Sequence, residues 1–574
     1  MAESVNGGNS SPKPPKEMSM EVRLLLAFVL MGLVVFLTPY FIKTTSPPPR
    51  KTTTPVTAAK QEAQPPAATP AQPQPEQEAA AEPAAPVPGA TNAPAQPPFV
   101  IDTNLYRVVL SNQGATVRSW QLKKFKTNDE KPLELTNPAA GGDPPFSLRF
   151  PAQQPTSTVN WKYFSSAADP DGLGVTFTYS DGHTAVRKVF RFEKNSYLAQ
   201  VTAEATLDGK PLPSEIEWRG GFGDLTVGNP SVAGRAIYFN LTDNKLTEHY
   251  AKSGNATAAG DFSFVGLVDA YFAAVFLPEG STNVEVQMFA DGVPTVLDKT
   301  AKLETGIAVS GGPVNRFRLF VGPKDYNLLK SVDPKLEQVV DFGWLSFLAK
   351  PLFLLVNYFN GAFVHNFGWS IVLVTIAINM ALFPLRLSNM KSMRKMQALK
   401  PQIDAINAKY KNVGLRDPKK AEQNQEVMDL YKRYGVNPMG GCFPMLIQIP
   451  FFIAFYQVFR ASVEMRGASW LWVPDLSQAE PWPIKILPII MIVTQFYMQS
   501  MTPQPNADPS QQKMMKLMPL IFGFMFYQFP SGLVLYYLTS NLVNMGQQWF
   551  FNHTEAAQEA ARSVEPPKKK NGRK

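Results

Sequence analysis

Six apolar runs dominate the pattern of hydrophobic and polar positions along the chain. The first, Leu24–Ile42, is about as long as a helix that crosses a bilayer and ends in bulky residues, unlike a cleaved signal peptide. It predicts an uncleaved signal anchor that follows a cytosolic N-terminus at residues 1–23. The other five runs are predicted as further spans, at residues 366–386, 442–462, 484–500, 513–529 and 531–551.

Polar residues interrupt most of the five later runs, several of which are at or below the ~20 residues that cross a bilayer comfortably. Unpaired amides are costly in hydrocarbon, so these side chains are expected to face other helices, a water-filled cavity or a polar guest. Helical spacing places them in stripes, which comprise Thr375 with Asn379, Gln448 with Tyr456, and Tyr537 with Ser540, Asn541 and Asn544. The stripes predict a hydrated half-channel, and interhelical hydrogen bonds that only hold the helices together are the alternative.

A tether and a large β domain lie between the first two spans. Residues 43–98 are rich in Pro, Ala, Gln and Glu and cannot bury a core. Residues 99–330 contain short alternating runs separated by turn signals, which predict one all-β sandwich with Trp161 and Trp218 in its core. The predicted strands lie at Tyr106–Leu110, Ala115–Leu122, Val175–Tyr179, Ala185–Phe192, Tyr197–Ala205, Ala270–Leu277, Val284–Met288 and Phe317–Val321.

Residues 333–363 are predicted as an interfacial amphipathic helix region. Within Leu336–Lys350 the apolar residues fall on or near one helical face, and the stripe ends at the Lys350–Pro351 step. Such a stripe suits a helix lying at the membrane surface. A helix that packs on the core of the β domain is the alternative.

Residues 387–436 are basic and rich in Met, and they predict a cytosolic hairpin of two amphipathic helices. The first helix carries apolar residues three or four apart from Met390 to Tyr410, and the second carries Val427, Tyr431 and Tyr434. The Met stripe is either a packing surface or an adaptable surface for varied partners, since Met repacks easily.

The net charge of +9 is concentrated beside the apolar runs. This positive-inside pattern places residues 387–436 and the basic tail at 552–574 in the cytosol, so that both ends of the chain lie on the same side. A ribosome or anionic phospholipids are therefore expected as partners of these charges, rather than DNA. The residues assigned to ribosome and targeting contacts are Lys391, Arg394, Lys395, Lys400, Lys568, Lys569 and Lys570.

Neither a metal site nor a cofactor is predicted. The four His residues lack ligand spacing, and the single cysteine, Cys442, is expected to be a small buried apolar residue. Without a Walker-type phosphate loop, a nucleotide-driven pump has little support. A secondary transporter would usually show two related halves, and a membrane-anchored carbohydrate-processing enzyme would need paired carboxylates in a cleft.

Two strings resemble the YidC group of the membrane protein insertase family, the group found in Gram-negative bacteria. They are NPMGGCFPMLIQIP, from Asn437 to Pro450, and FPSGLVLYYLTSNL, from Phe529 to Leu542. The resemblance covers essentially the whole chain except the tether. It implies a multi-domain membrane protein with a six-span α-helical membrane domain, which combines a five-helix insertase core with the signal anchor. A periplasmic all-β supersandwich and a cytosolic helical hairpin complete the implied fold.

The resemblance also implies a function, namely ATP-independent insertion and folding of nascent proteins in the bacterial inner membrane, without enzymatic catalysis. A groove open to the cytosol and to lipid would receive the polar part of a client. The residues assigned to this groove are Thr375, Asn379, Gln448, Tyr456, Tyr536, Tyr537, Ser540 and Asn541. The implied partners are the ribosome, the signal recognition particle and its receptor, and the Sec translocon with its accessory subunits.

Asn379 departs from the family pattern, because a basic groove residue is usual at this place in the second span. A neutral side chain attracts an acidic client tail less strongly. No other basic residue is expected at comparable depth, since Arg460 comes near the opposite end of the third span. The groove is therefore expected to act through hydration and a thinned bilayer.

Overall fold

The computed structural model describes residues 89–554 except 92, 128–130, 138–141, 156–157, 225–233, 281–282, 295–300, 411–416, 418, 437–442 and 502–508, and also residues 558–559 and 562. A β-rich region, from Phe99 to Pro323, precedes a helical region, from Tyr326 to Asn552. The predicted signal anchor, most of the tether, Cys442 and the lysines of the C-terminal tail lie outside the described residues.

Nineteen strands form the described part of the β domain. They are β1 (Phe99–Asp102), β2 (Tyr106–Ser111), β3 (Thr116–Lys126), β4 (Pro132–Glu134), β5 (Ser147–Arg149), β6 (Ser165–Ala168), β7 (Gly174–Ser180), β8 (Thr184–Phe192), β9 (Leu198–Leu207), β10 (Lys210–Pro211), β11 (Glu215–Trp218), β12 (Arg235–Asn240), β13 (Lys245–Tyr250), β14 (Ala256–Gly260), β15 (Phe262–Val268), β16 (Phe272–Pro278), β17 (Val284–Pro294), β18 (Ala301–Ser310) and β19 (Val314–Pro323).

The strands pair into three antiparallel sheets. The largest has the order β13-β12-β15-β16-β19-β9-β8-β7-β6, with β10 paired to β9, and the others have the orders β14-β17-β18-β11-β5 and β1-β2-β3-β4. Trp120, Trp218 and Phe276 come from the three different sheets. The Trp120 and Trp218 rings lie 6.3 Å apart, and Phe146 lies 5.5 Å from Trp218 and 6.0 Å from Phe276. One aromatic core therefore joins the sheets.

Strand β8 shows why the alternating runs predicted this domain. Its buried positions alternate with less buried ones from Thr184 to Phe192, as the two-residue period of a strand requires. All eight predicted strands overlap observed ones, and Trp218 is buried as predicted. The prediction that Trp161 lies in the core is wrong, because this side chain is 50% exposed.

The row of inward-facing residues on β8 includes a lysine. The Lys188 ammonium is buried and donates hydrogen bonds to the carbonyl oxygens of Gly114 and Phe146, both at 2.7 Å. Desolvation lowers the pKa of Lys188 to about 7, although the nearby Glu217 carboxyl opposes the shift. The lysine therefore ties β8 to the neighbouring loops through their carbonyl groups.

Ten α-helices are described in the second region. They are α1 (Tyr326–Val332), α2 (Ser346–Phe359), α3 (Phe367–Ala381), α4 (Phe383–Ala398), α5 (Lys400–Lys409), α6 (Lys419–Arg433), α7 (Phe443–Ala461), α8 (Ile486–Met501), α9 (Pro509–Phe526) and α10 (Ser531–Asn552).

Leu336–Lys350 does not form the single amphipathic helix that the sequence predicts. A short 3-10 helix covers Pro334–Val339, and α2 begins only at Ser346. Gly343 separates them, because it adopts φ +70° and its N–H donates to the Asp341 carboxylate. The predicted end at Pro351 is also wrong, since α2 continues through this proline to Phe359.

Helix α2 and the π-helical turn Asn360–Val364 together form, among the described residues, the one unbroken helix long and apolar enough to cross a membrane. Helices α3 and α4 meet the same criterion as a pair, with a bend of 59° between them. The remaining predicted spans coincide with α7, α8, α9 and α10. Whether these helices cross a bilayer stays a prediction.

The first helix of the predicted hairpin is divided in two at Leu399, where α5 begins with a proline at its second position. Proline has no N–H for the helix that precedes it, so the hydrogen-bond ladder is interrupted here. Most of the predicted apolar stripe still packs in one cluster with residues of α6 and the turn after it, whereas Met390 packs on Phe551. The cluster comprises Met396, Leu399, Ile403, Leu430, Tyr431 and Val436.

The loop between α7 and α8 connects the helical region to the β domain. Arg466 donates to the Asp224 carboxylate and lies over the Tyr271 ring, 5.3 Å from its centroid. Both partners of this ion pair are almost fully buried, with side-chain exposures of 8% and 0%. In the same loop, the Glu464 carboxylate accepts from the Tyr326 N–H at 3.4 Å.

Candidate functional site

Helix α10 lies at the centre of the helical region and packs against α3, α7 and α8. Gly532 allows the close approach of α7, since a Cβ at this position would lie 2.5 Å from the Phe459 ring. Polar residues occupy much of the buried surface of α10. They include Ser531, Thr539, Ser540, Asn541, Asn544, Gln547 and Gln548.

Asn379, near the C-terminal end of α3, meets this polar surface. Its Nδ2 donates to Ser540 Oγ at 3.3 Å and to the Thr375 carbonyl oxygen at 2.8 Å. The Asn379 carbonyl oxygen accepts from Gln547 Nε2 at 3.1 Å. Thr375 is buried, but its hydroxyl donates within α3 to the Ile371 carbonyl oxygen. The predicted α3 stripe thus reaches α10 through Asn379.

Gln448 of α7 contacts Tyr536 on α10. Gln448 Nε2 donates to the Tyr536 hydroxyl at 2.8 Å, and the Tyr536 ring stacks on Phe455 with centroids 4.2 Å apart. Tyr456 lies against the Phe529 ring at 5.8 Å. The two α7 residues predicted to share a face therefore contact different partners.

Helix α8 contributes a further polar contact, since Asn541 Nδ2 lies 3.5 Å from Thr494 Oγ1. Tyr537 packs against the Phe526 ring of α9, with centroids 4.9 Å apart. The stripe predicted on α10 is thus real as a face of the helix, but its members are shared among several neighbouring helices. We call Asn379, Ser540, Asn541, Asn544 and Gln547 the polar seam.

Arg386 is a basic residue that the sequence reasoning missed. Its guanidinium donates to Asn544 Oδ1, which places a positive charge at the polar seam. The expectation that no other basic residue sits at comparable depth is therefore wrong. Arg386 follows Asn379 by seven residues, which would be two turns of a continuous helix, so the spacing gives a signal even though α3 and α4 bend by 59° between the two residues.

The outward faces of α8 and α9 carry large exposed apolar side chains, in contrast to the polar seam. Water does not favour such a continuous apolar surface, and hydrocarbon does. The exposed residues on these two helices include Ile489, Ile490, Val493, Phe496, Leu517, Leu520, Ile521 and Phe524.

Of the basic residues assigned to ribosome contacts, the four that the structure describes lie on α4 and at the start of α5, and the three lysines of the C-terminal tail lie outside the described residues. Lys391 and Lys400 are exposed, and Arg394 donates to Gln397 Oε1 at 2.7 Å. Within the described part of the chain, no group of three or more His, Cys, Asp or Glu residues is placed to hold a metal ion.

The β domain contains a second candidate site, a cavity of about 580 Å³. Asp143, Glu217, Arg149 and Arg219 are among the residues that line it. Glu217 is 4% exposed, and burial, with the nearby Asp143 charge as a smaller cause, raises the pKa of its carboxyl to about 7. Arg219 is paired with Asp291. The lining of the cavity thus includes two carboxylates, those of Asp143 and Glu217, which are close enough to affect each other's charge.

Comparisons with known proteins cover both regions of the chain. The family described as 60Kd inner membrane protein matches residues 358–559, and the family described as YidC periplasmic domain matches residues 99–355. These matches define an inner membrane protein whose β-rich periplasmic domain precedes a helical C-terminal region.

Proteins of similar sequence show to which family this chain belongs. A membrane protein insertase YidC of Ralstonia nicotianae is 36% identical over 509 residues, which are 83% of this chain and 86% of the relative. One of Syntrophus aciditrophicus is 34% identical over 472 residues, covering 79% and 84% of the two chains. The chain belongs to the YidC membrane protein insertase family. A crystal structure of an active YidC insertase, 21% identical and covering 80% of this chain and 94% of its own, aligns with a TM-score of 0.35.

Proposed function

We propose that this protein inserts and folds nascent inner-membrane proteins, and that the polar seam is the place where it receives their polar segments. One observation carries the proposal: polar side chains from α3, α8 and α10 meet inside a bundle whose α8 and α9 surface is apolar. A client has both kinds of surface. Its polar tail or loop would occupy the seam, while its apolar span would lie along the α8 and α9 flank.

The hydrogen bonds across the seam are weak enough to be broken when a client enters and to form again when it leaves. Those between Asn379 and Ser540 and between Asn541 and Thr494 are long, at 3.3 and 3.5 Å, and are therefore weak. Gln547 Oε1 is buried without a protein partner, which leaves an acceptor for water or for a client N–H. A client can therefore exchange its own polar groups for those that close the seam.

This exchange lowers the insertion barrier without nucleotide. Moving an unpaired polar group into hydrocarbon costs several kcal/mol, and a polar path through part of the membrane shortens the dry distance. The groove in this proposal consists of Thr375, Asn379, Gln448, Tyr456, Tyr536, Tyr537, Ser540 and Asn541.

The proposed topology has six spans, with both termini and the α4–α6 hairpin in the cytosol and the β domain in the periplasm. The exposed lysines Lys391 and Lys400 would then face the ribosome and anionic phospholipids. In this arrangement the protein would receive clients from the ribosome and the signal recognition particle with its receptor. It would act alone or beside the Sec translocon and its accessory subunits.

Photo-crosslinking tests the site directly. A photoreactive amino acid at position 375, 448 or 537 is expected to crosslink a ribosome-held nascent span. Position 163 on the β domain, where Tyr163 is exposed, is the matched control and is expected to remain unlinked. Absence of crosslinks at all three positions would contradict a client site at the seam.

The carboxylates of the β-domain cavity favour a second candidate, an enzyme or binding activity of the β domain itself. Deletion of residues 99–322 distinguishes the two. An insertase is expected to keep its core activity after this deletion, whereas an anchored enzyme would lose all activity.

A further inference from the structure

We infer that Arg386 is the specificity-determining residue of the polar seam, and that it binds a carboxylate of the entering client segment. The inference rests on the proposed function and deepens it, because it names the chemistry of the client group that is recognised. It also changes the expectation drawn from Asn379, since a positive charge is present at the seam after all.

The charge of Arg386 is unmatched by its surroundings. Helices α3, α4, α7, α8, α9 and α10 contain no Asp or Glu at all. Across the described residues, the guanidinium of Arg386 has the neutral Asn544 amide oxygen as its side-chain acceptor, and no carboxylate forms an ion pair with it. A guanidinium has five N–H donors, so most of its hydrogen-bonding capacity is left for an anion from outside these helices.

The position of Arg386 brings its free N–H donors to the polar seam. Asn544 is one helical turn from Ser540 and Asn541 on α10, so the guanidinium extends the row of polar groups that begins at Asn379. The side chain is half-buried. The row runs from the neutral amide of Asn379 to the cation of Arg386, which lies on the basic helix α4.

Other cations of α4 are less suited to this role. Lys391 is exposed, and Arg394 already donates to Gln397 Oε1. A lipid phosphate at the membrane surface would reach an exposed lysine more readily than a half-buried guanidinium held against α10. A planar carboxylate, by contrast, can accept two parallel N–H bonds from an arginine, which favours a client Asp or Glu as the ligand.

The test uses the full chain in proteoliposomes and single-span clients that differ only in two tail residues, which are Asp in one client and Asn in the other. Arg386→Gln is expected to slow insertion of the Asp client about tenfold, the loss expected for a charge-assisted hydrogen bond, and to leave the Asn client unchanged. Arg386→Lys is expected to restore part of the rate for the Asp client, because it keeps the charge but not the fork of donors. Arg433→Gln, at an exposed arginine that ends α6, is the matched control and is expected to have little effect on either client.

Three outcomes would overturn the inference. Equal slowing of both clients by Arg386→Gln, without recovery in Arg386→Lys, would mean that the arginine only supports the fold. A defect found in liposomes with anionic lipid but absent in pure phosphatidylcholine would assign the guanidinium to lipid phosphate. Equal insertion of the Asp client by Arg386→Gln and the unsubstituted protein would exclude the contact. Failure of the unsubstituted protein to insert either client would instead refute the proposed function.

Discussion

The buried ion pair between Arg466 and Asp224 predicts how firmly the helical region holds the β domain. Arg466→Met removes the cation and leaves the Asp224 carboxylate buried, where the side chain is 0% exposed. Loss of one partner of a buried ion pair costs about 3–5 kcal/mol. The contacts of Arg466 with the Tyr271 and Phe272 rings, at 5.3 and 5.4 Å, are lost as well. We therefore expect a loss near the upper end of that range.

A double-mutant cycle isolates the pair. Asp224→Asn keeps the shape of the acidic partner, and the double variant is expected to cost about 1–3 kcal/mol less than the sum of the single variants. Urea unfolding of the full chain in detergent, followed by near-ultraviolet circular dichroism, measures the free energy. Trp120 and Trp218, in the core of the β domain, contribute to this signal.

Arg318→Met is the matched control, since Arg318 forms an ion pair with Glu279 in which both side chains are more than 40% exposed. An exposed pair contributes about 0–1 kcal/mol. If Arg466→Met costs no more than Arg318→Met, or if the two single variants of the cycle are additive, the loop does not anchor the β domain through this pair.

Three further predictions concern single positions. Burial raises the pKa of Glu217 to about 7, so the folded state loses stability as the pH rises from the ordinary pKa of a glutamate, about 4.5, through 7, by at most ~3 kcal/mol. Glu217→Gln should remove this pH dependence of stability, measured as the protection of the Glu215–Trp218 amides from hydrogen exchange. A pH profile identical to that of the unsubstituted protein would show that Glu217 does not cause the loss. Gly532→Ala should lower the free energy of unfolding by about 1–3 kcal/mol, because the added methyl group overpacks against Phe459. Gly546→Ala has open space around it and should leave the free energy of unfolding unchanged. Asn379→Lys should speed insertion of acidic-tailed clients in proteoliposomes, and rates equal to those of the unsubstituted protein would contradict this.

The β domain was largely predictable because period-two alternation is a local signal. Strand β8 shows it clearly, even though its inward row includes Lys188. The exposure of Trp161 could not be inferred, since a large aromatic residue is usually buried and only tertiary packing decides the exception. The break at Gly343 was missed for a related reason, because helical spacing was counted across a glycine that folds with positive φ.

The site was predictable as a set of polar helix faces, but the contacts between those faces were not. Asn379 and Ser540 meet, and Gln448 contacts Tyr536, which is not a member of the predicted α10 stripe. Neighbouring residues on a helix point in different directions, and the sequence does not state which one meets another helix. Arg386 is the last residue of the predicted second span, so its charge reads from the sequence as one of the basic residues flanking the span and not as part of the site.

The bend between α3 and α4 has a mechanical consequence. Pro384, in the first turn of α4, has no N–H to donate to the Met380 carbonyl oxygen, so a backbone hydrogen bond is already missing at this point. A change in the 59° angle therefore breaks no bond at that position. Because α4 carries both Arg386 and Met390, which packs on Phe551, such a rotation would swing cation and hairpin together away from α10. The step between α3 and α4, next to the polar seam, is therefore the point where the angle between these helices can change at the least cost in backbone hydrogen bonds.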